Sequence, residues 1–384
     1  MPKKLVVCCD GTNNEIAGDA TNVLRLYRML VRDKEQIAFY DSGVGTLAHP
    51  DRITSWGRSV SRLFDSAMGL SIQHHFLNAY RFLSRHYEPG DEIYLFGFSR
   101  GAYTARAVAG AIRMFGLLRP ELQGLEDLVW AIYSGENNLP ASRFAAAPVF
   151  RKTFGIADPS AEEESQRFSV KIHCVGVWDT VSAFGTISDQ RTLPNTADNP
   201  AIVHVRHALS IDERRSIFQA NLFRPKDRTQ HGSFKQVWFA GVHSDVGGGY
   251  PEATGTLSKV SLNWMLNEVI QLGLKIDPAM RQHLMNDAKA KHPPADPLGQ
   301  IHESLEKGWH LLEVVPQRRY QASKDGLSWQ CPNFWRHRKI VEFDGDGRPI
   351  QPTLHQSVLD RKNSADAKYS PRNLPSPGDY LVEP

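Results

Sequence analysis

The sequence predicts an α/β protein that is α/β-hydrolase-like, with a mostly parallel sheet, helices on both faces and a C-terminal extension. Short apolar runs typical of buried strands recur along the first two thirds of the chain. Stretches with helical spacing separate several of these runs. Polar or turn-forming residues follow each run, as expected where parallel strands lead into loops at one edge of a sheet.

Five apolar runs are predicted as strands. They cover residues 5–9, 36–40, 92–98, 170–178 and 235–242. Helices are expected between them, because apolar residues there recur on one helical face. The predicted helices cover residues 21–32, about 58–68, 70–86, a small-residue stretch after Ser99, part of 204–223, and 257–272.

The chain is expected to divide into two parts. Residues 1–290 are predicted as a catalytic domain with a helical insertion at about 119–168. Residues 291–384, where prolines recur and the pattern weakens, are predicted as an extension packed on that domain. The apolar stretch within 115–150 fits either a lid or acyl groove, or ordinary core packing.

Composition and charge limit the classes of binding partner that are expected. A formal net charge of +3 with interleaved charges does not favour nucleic acid. The four cysteines lack Cys-x-x-Cys spacing, so they do not indicate a zinc or redox site, and Cys8, Cys9 and Cys174 are predicted to be buried thiols. No cofactor or bound metal is expected in the favoured interpretation. No apolar run is long enough for a signal peptide or a membrane span. A cytoplasmic chain is therefore expected, unless a machine that needs no cleaved signal exports it.

The strongest chemical motif is Gly97-Phe98-Ser99-Arg100-Gly101. In a nucleophile elbow a serine occupies a strained turn between a strand and a helix, and small neighbours keep that turn free of clashes. An apolar strand precedes the motif and an alanine-rich helix follows it, as this turn requires. Ser99 is therefore predicted as a nucleophile.

A base and an acid are predicted from two later strand ends. Asp179 ends the run 170–178, and His243 ends the run 235–242. Both follow the chain order Ser…Asp…His of this fold, and both should reach the carboxyl edge of the sheet beside Ser99. Asp245 is an alternative acid or a support for its loop.

An oxyanion hole needs two backbone N–H groups. The amide of Arg100 is one candidate, and that of Gly11 or Thr12, after the first strand, is the other. Asp10 is predicted to brace this loop. An alternative groups Asp10 with Asp179 and Asp245 around a divalent metal for phosphoester hydrolysis. A catalytically inactive binding protein is a third hypothesis.

Five motifs together resemble one family. They are DGTNNE, YDSGVGT, GFSRGAYTAR, VWDTVSAFG and GVHSDVGGGY, spread over residues 10–250. The set is similar to the DUF2235 family of α/β hydrolases, which contains the catalytic domains of Tle1-type phospholipase effectors of bacterial type VI secretion.

The resemblance implies a Ser–Asp–His triad with Ser99 in GFSRG and His243 in GVHSD, and Asp179 in VWDTV is the first choice for its acid, ahead of Asp245. It also implies hydrolysis of fatty-acyl esters of phospholipids or lysophospholipids through an acyl-enzyme. The resemblance further implies a lipid or small ester as substrate and a transient contact with a membrane surface. It also implies a partner in the secretion system.

Overall fold

A computed structural model describes residues 2–11, 20–43, 57–135, 140–181, 184–185, 190–305, 317–321, 326–330 and 337–384. The strands are β1 Lys4–Cys9, β2 Gln36–Asp41, β3 Glu92–Phe98, β4 Ile172–Trp178, β5 Phe184–Gly185, β6 Gln190–Arg191, β7 Ile202–Ser210, β8 Ser233–Phe239, β9 Gln317–Gln321, β10 Gly326–Gln330, β11 Glu342–Phe343, β12 Pro349–Ile350, β13 Thr353–His355 and β14 Leu381–Glu383. The helices are α1 Asn22–Met29, α2 Gly57–His86, α3 Arg100–Phe115, α4 Glu126–Ser134, α5 Pro140–Phe154, α6 His243–Gly247, α7 Ser258–Gln271, α8 Pro278–Asn286 and α9 Gln356–Asn363.

The largest sheet of the described residues has eight strands in the order β14-β13-β8-β7-β4-β3-β1-β2. Every neighbouring pair in this sheet is parallel. Parallel pairing requires crossovers, and the helices of these crossovers cover the faces. The predicted fold class is confirmed.

Apolar side chains of the central strands alternate between two cores. Leu5 and Val7 of β1 pack on the face covered by α2 and α3. Val6 and Cys8 pack on the opposite face, against α1 and α7. A strand buried on both faces reads as a continuous apolar run, which explains why β1 was recognisable.

The predicted helix within 204–223 is wrong, because residues 202–210 form β7 between β4 and β8. Polar residues interrupt its apolar pattern, yet they are buried and paired. Arg206 Nε donates to Glu268 Oε2 at 2.6 Å, and His207 Nδ1 lies 2.9 Å from Gln236 Oε1. These partners come from other elements, so local spacing does not reveal them.

Two further predictions change in detail. The helices predicted at 58–68 and 70–86 form one helix, α2. The region beyond residue 291 contributes β13 and β14 to the edge of the main sheet and α9 beside them. A third apolar cluster joins Leu354 and Val358 to Leu209 and Trp238 of the central strands. The division at residue 290 remains a proposal.

Three of the four cysteines, Cys8, Cys9 and Cys174, are buried free thiols, as predicted. Burial raises the pKa of Cys8 and Cys174, the latter to about 12, which keeps these thiols protonated. Cys331 lies outside the described residues.

Candidate active site

Ser99 occupies the turn between β3 and α3. Its backbone has φ 59° and ψ −122°, in the left-handed region that non-glycine residues rarely adopt. Two glycines make this turn feasible. A Cβ on Gly97 would lie 2.6 Å from the backbone N of Ala102, and a Cβ on Gly101 would lie 2.5 Å from the carbonyl oxygen of Asp10. The backbone is therefore strained at the serine, and both flanking glycines are sterically required.

β8 ends at Phe239, before the predicted end at residue 242, and His243 begins α6 after three intervening residues, where it faces the serine. Its Nε2 lies 2.8 Å from Ser99 Oγ. The rings of Phe98 and Phe218 flank the imidazole at centroid distances of 4.6 and 4.8 Å. Burial lowers the pKa of His243 below its ordinary value of 6.5, although Asp179 opposes this shift. The imidazole is therefore neutral at pH 7, with a nitrogen within reach of the serine proton.

Asp179 follows β4 and lies on the other side of the imidazole. Its Oδ2 is 2.5 Å from His243 Nδ1, and its side chain is fully buried. Ser210, at the end of β7, donates its N–H to Oδ1 at 3.0 Å. Burial alone would raise the pKa of Asp179, but Arg338 and His243 outweigh it and hold that pKa well below its usual range. A buried carboxylate, an imidazole and a hydroxyl are thus joined in one hydrogen-bonded chain.

Two charged residues that contact Asp179 or His243 were not predicted from the sequence. Arg338 donates Nη1 to Asp179 Oδ1 at 2.6 Å and Nη2 to Oδ2 at 3.1 Å. Glu213, after β7, accepts the backbone N–H of His243 at 3.2 Å, and Arg215 Nη2 donates to it at 2.8 Å. The Arg215 pair holds the pKa of Glu213 at about 2 despite its burial.

Their absence from the prediction has two causes. Glu213 follows a strand end, so it would have been a candidate if β7 had been recognised. Arg338 lies in the basic run 336–339, where nothing in the sequence separates it from its neighbours.

The loop after β1 lies against the elbow. A Cβ on Gly11 would be 3.6 Å from Ser99 Cβ. However, the Gly11 amide donates to Asp10 Oδ1 at 2.7 Å, so that amide faces Asp10 in this structure. Thr12 lies outside the described residues. Arg100 is the first residue of α3, where amides have no acceptor within the helix.

Asp10 holds two neighbouring elements against its loop. Its Oδ2 accepts the hydroxyl groups of Thr21 at 2.6 Å and Tyr40 at 2.7 Å. Burial and the nearby Asp10 raise the pKa of Tyr40 far above its usual value, so the phenol stays a donor. These bonds tie the start of α1 and the end of β2 to the loop beside Ser99.

Asp245 pairs with a different histidine. His302 Nδ1 lies 2.6 Å from Asp245 Oδ1, and the Val242 amide donates to Oδ2 at 3.1 Å. Asp179, and not Asp245, therefore holds His243 Nδ1. Within the described part of the chain, no group of three or more histidine, cysteine or acidic side chains has the arrangement of a metal site, so Asp10, Asp179 and Asp245 are not brought together.

The apolar segment within 115–150 packs mainly in the core. Buried members of the core cluster include Phe115, Leu117, Leu118, Trp130 and Tyr133. Leu128 of α4 is 43% exposed, and Val149 of α5 is 67% exposed. Most of the side chains proposed for a lid or groove are thus core residues.

A parallel α/β sheet that joins a strained serine, a histidine and a carboxylate at its carboxyl edge has the arrangement of an esterase-like hydrolase. The chain belongs to the family described as "T6SS, Phospholipase effector Tle1-like, catalytic domain", whose model matches residues 3–268.

Similar proteins include one from yeast and two of known structure. "Uncharacterized protein YEL023C" of Saccharomyces cerevisiae is 36% identical over 237 residues, which cover 58% of this chain and 33% of the yeast protein. An uncharacterised protein from Pseudomonas aeruginosa is 17% identical, with a TM-score of 0.44, over 77% of this chain and 49% of that one.

A Tle1 effector, solved bound to the VgrG spike of the type 6 secretion system, is 16% identical with a TM-score of 0.34. The match covers 67% of this chain and 52% of that one. This chain therefore spans about a third of the yeast relative and about half of each solved structure.

Proposed function

We propose that the protein is a serine esterase that cleaves fatty-acyl esters of phospholipids or lysophospholipids through an acyl-enzyme. The observation that carries this proposal is the hydrogen-bonded chain from Ser99 Oγ through His243 to Asp179, at 2.8 and 2.5 Å. Membership of a phospholipase effector family supports the lipid substrate. These three residues are the proposed catalytic triad.

The reaction follows from the protonation states. Neutral His243 accepts the Ser99 proton at Nε2 as Oγ attacks the ester carbonyl, and Asp179 stabilises the imidazolium through Nδ1–H. The imidazolium then protonates the leaving alcohol, which departs and leaves an acyl-serine. Water, deprotonated by the same nitrogen, attacks the acyl carbon, and collapse of the second intermediate returns the proton to Ser99 and releases the fatty acid.

The oxyanion needs two donors. The Arg100 amide, next to the nucleophile, is the proposed first donor. The loop after β1 is proposed to supply the second. The Gly11 amide would have to turn from Asp10 to do so, because it donates to Oδ1 at 2.7 Å. Thr12 remains the sequence-based candidate for this donor.

Contact with a lipid surface is proposed to be transient. Within the described residues, no helix combines the length and apolar character needed to cross a bilayer. Exposed apolar residues of α4 and α5, Leu128 and Val149, support contact through the helical insertion. Export by a type VI machine and a secretion-system partner remain proposals that rest on the family.

The test is hydrolysis of phosphatidylcholine and lysophosphatidylcholine in mixed micelles, with free fatty acid measured by mass spectrometry. We expect release by the wild type, a loss of about 1,000-fold or more in Ser99→Ala, and no effect of EDTA. Activity that survives Ser99→Ala and disappears with EDTA would favour the metal-dependent phosphoesterase. A folded wild type that cleaves neither lipid nor a short p-nitrophenyl ester would favour a binding protein.

A further inference from the structure

The C-terminal segment, residues 337–384, places one side chain inside the proposed active site. Arg338 is 8% exposed and donates to both carboxylate oxygens of Asp179, from Nη1 to Oδ1 at 2.6 Å and from Nη2 to Oδ2 at 3.1 Å. The segment matched by the family model ends at residue 268, so this contact comes from outside it.

We propose that Arg338 is a positioning residue that fixes the Asp179 carboxylate for His243, so that the C-terminal segment completes the active site. This inference rests on the proposed function. The inference adds one requirement to that function. The part of the chain matched by the family model does not contain Arg338, whose two hydrogen bonds to Asp179 we call the clamp.

The geometry of the fork explains the positioning. Two parallel N–H donors from one planar guanidinium fix the plane of a carboxylate, which a single ammonium donor cannot do. With Oδ1 held by Arg338 Nη1 and the Ser210 amide, Oδ2 is directed at His243 Nδ1. Without Arg338 only Ser210 would hold the carboxylate, through its amide to Oδ1 and its hydroxyl to Oδ2 at 3.1 Å. The alignment would then loosen, and the imidazole would lose part of its orientation toward Ser99.

Arg338 is itself held in place by the core. Its Nη1 also donates to Ser210 Oγ at 2.7 Å, and its Nη2 donates to the carbonyl oxygen of Phe218. Asn373 donates to the Arg338 carbonyl at 3.1 Å and to that of Ile211 at 3.0 Å. The clamp is therefore attached to the end of β7 at several points, as a fixed donor requires.

Charge gives the clamp a measurable signature. The charged groups around His243 are Asp179 after β4, Glu213 and Arg215 after β7, and Arg338 from the C-terminal segment, while Asp245 on α6 faces His302. Arg338 neutralises part of the Asp179 charge that favours imidazolium. Its removal leaves His243 as the one positive partner of Asp179 among these groups, so the pKa of the imidazole should rise.

The experiment compares pH profiles of kcat/KM for Arg338→Met, Arg338→Lys and wild type on a soluble p-nitrophenyl ester. Arg361→Met is the matched control. Arg361 is a buried arginine of the same segment, and its Nη1 donates to the carbonyls of Pro297 and Gly299 rather than to Asp179.

In Arg338→Met we expect kcat to fall by ~100-fold because the acid is misaligned. The acid limb of the profile should move up by about one pH unit. In Arg338→Lys, which keeps the charge but not the fork, we expect the limb to stay near the wild-type pH while kcat still falls by about tenfold. In Arg361→Met only the melting temperature should change.

The inference is overturned if Arg338→Met keeps the wild-type kcat and acid limb at temperatures where it is folded. If Arg338→Met does not fold, Arg338→Lys decides: wild-type kcat in that variant overturns the clamp, and a tenfold loss with an unmoved limb supports it. Failure of the proposed function is a separate result, namely full activity in Ser99→Ala, whatever the Arg338 variants do.

Discussion

Replacing Asp179 with asparagine is a sharp perturbation of the proposed triad, because it alters the hydrogen-bonding pattern with almost no change in shape. The Oδ1 position faces two groups that can only donate, Arg338 Nη1 at 2.6 Å and the Ser210 amide at 3.0 Å. The Oδ2 position faces one such group, Arg338 Nη2 at 3.1 Å, and two groups that can also accept, His243 Nδ1 and the Ser210 hydroxyl. The single oxygen of asparagine should therefore take the Oδ1 position. Its NH2 group then occupies the Oδ2 position, 2.5 Å from His243 Nδ1 in the native protein.

The position of this NH2 group determines how much activity Asp179→Asn should lose. An NH2 donor facing Nδ1 forces the imidazole to carry its proton on Nε2, which then cannot accept the proton of Ser99. Loss of the correct tautomer in a serine triad lowers kcat by roughly 10,000-fold, or about 5 kcal/mol of transition-state stabilisation. The variant also leaves the Arg338 charge without its carboxylate, which should cost about 3–5 kcal/mol of folding stability.

The assay is kcat/KM on a soluble ester, measured below the melting temperature of each variant. Asp245→Asn is the matched control, because Asp245 is also buried and bonded to a histidine, His302. We expect Asp245→Asn to stay within about tenfold of the wild type. Asp179→Asn with near-native activity, or an equal loss in Asp245→Asn, would refute the assignment of the acid.

Three further outcomes are expected. Burial lowers the pKa of His243, so the imidazole stays a neutral base as the pH falls below 7. The acid limb of the wild-type kcat/KM profile should therefore have its midpoint below pH 6.5. A midpoint above pH 6.5 would contradict this expectation. Gly97→Ala should lower the free energy of unfolding by about 1–3 kcal/mol or more in urea titrations, because its Cβ meets the Ala102 backbone at 2.6 Å; an unchanged midpoint would contradict the elbow geometry. Although burial opposes it, Arg25 and Lys259 hold the pKa of Glu252 at about 2. These ion pairs therefore stabilise the fold above about pH 4.5 and lose their effect as pH falls toward 2. Glu252→Gln should remove that part of the acid dependence of stability, and an unchanged dependence would refute it.

The sequence predicted the parallel sheet and three residues that meet at its edge, because both depend on local patterns. Strands such as β1 and β3 are buried on both faces, so they appear as continuous apolar runs. In a parallel sheet all strands end at the same edge. The residues that follow β3, β4 and β8 therefore approach one another, and Ser99, Asp179 and His243 are such residues.

The features that the sequence did not predict depend on pairing between distant segments. β7 contains Arg206 and His207, whose burial is compensated by Glu268 and Gln236, so its apolar pattern is interrupted. The strands β13 and β14 have three residues each, too few to show a period. Arg338 reaches Asp179 only because the C-terminal segment folds back on β7, and no local spacing encodes that return.

A fluorophosphonate probe, which reacts only with an activated serine, tests the nucleophile most directly. Peptide mass spectrometry should find the adduct on the peptide that contains Ser99 in the wild type. The adduct should be absent from Ser99→Ala and strongly reduced in His243→Ala. A folded wild type that resists the probe, or labelling of equal extent in Ser99→Ala, would contradict the central claim that Ser99 is the reacting hydroxyl.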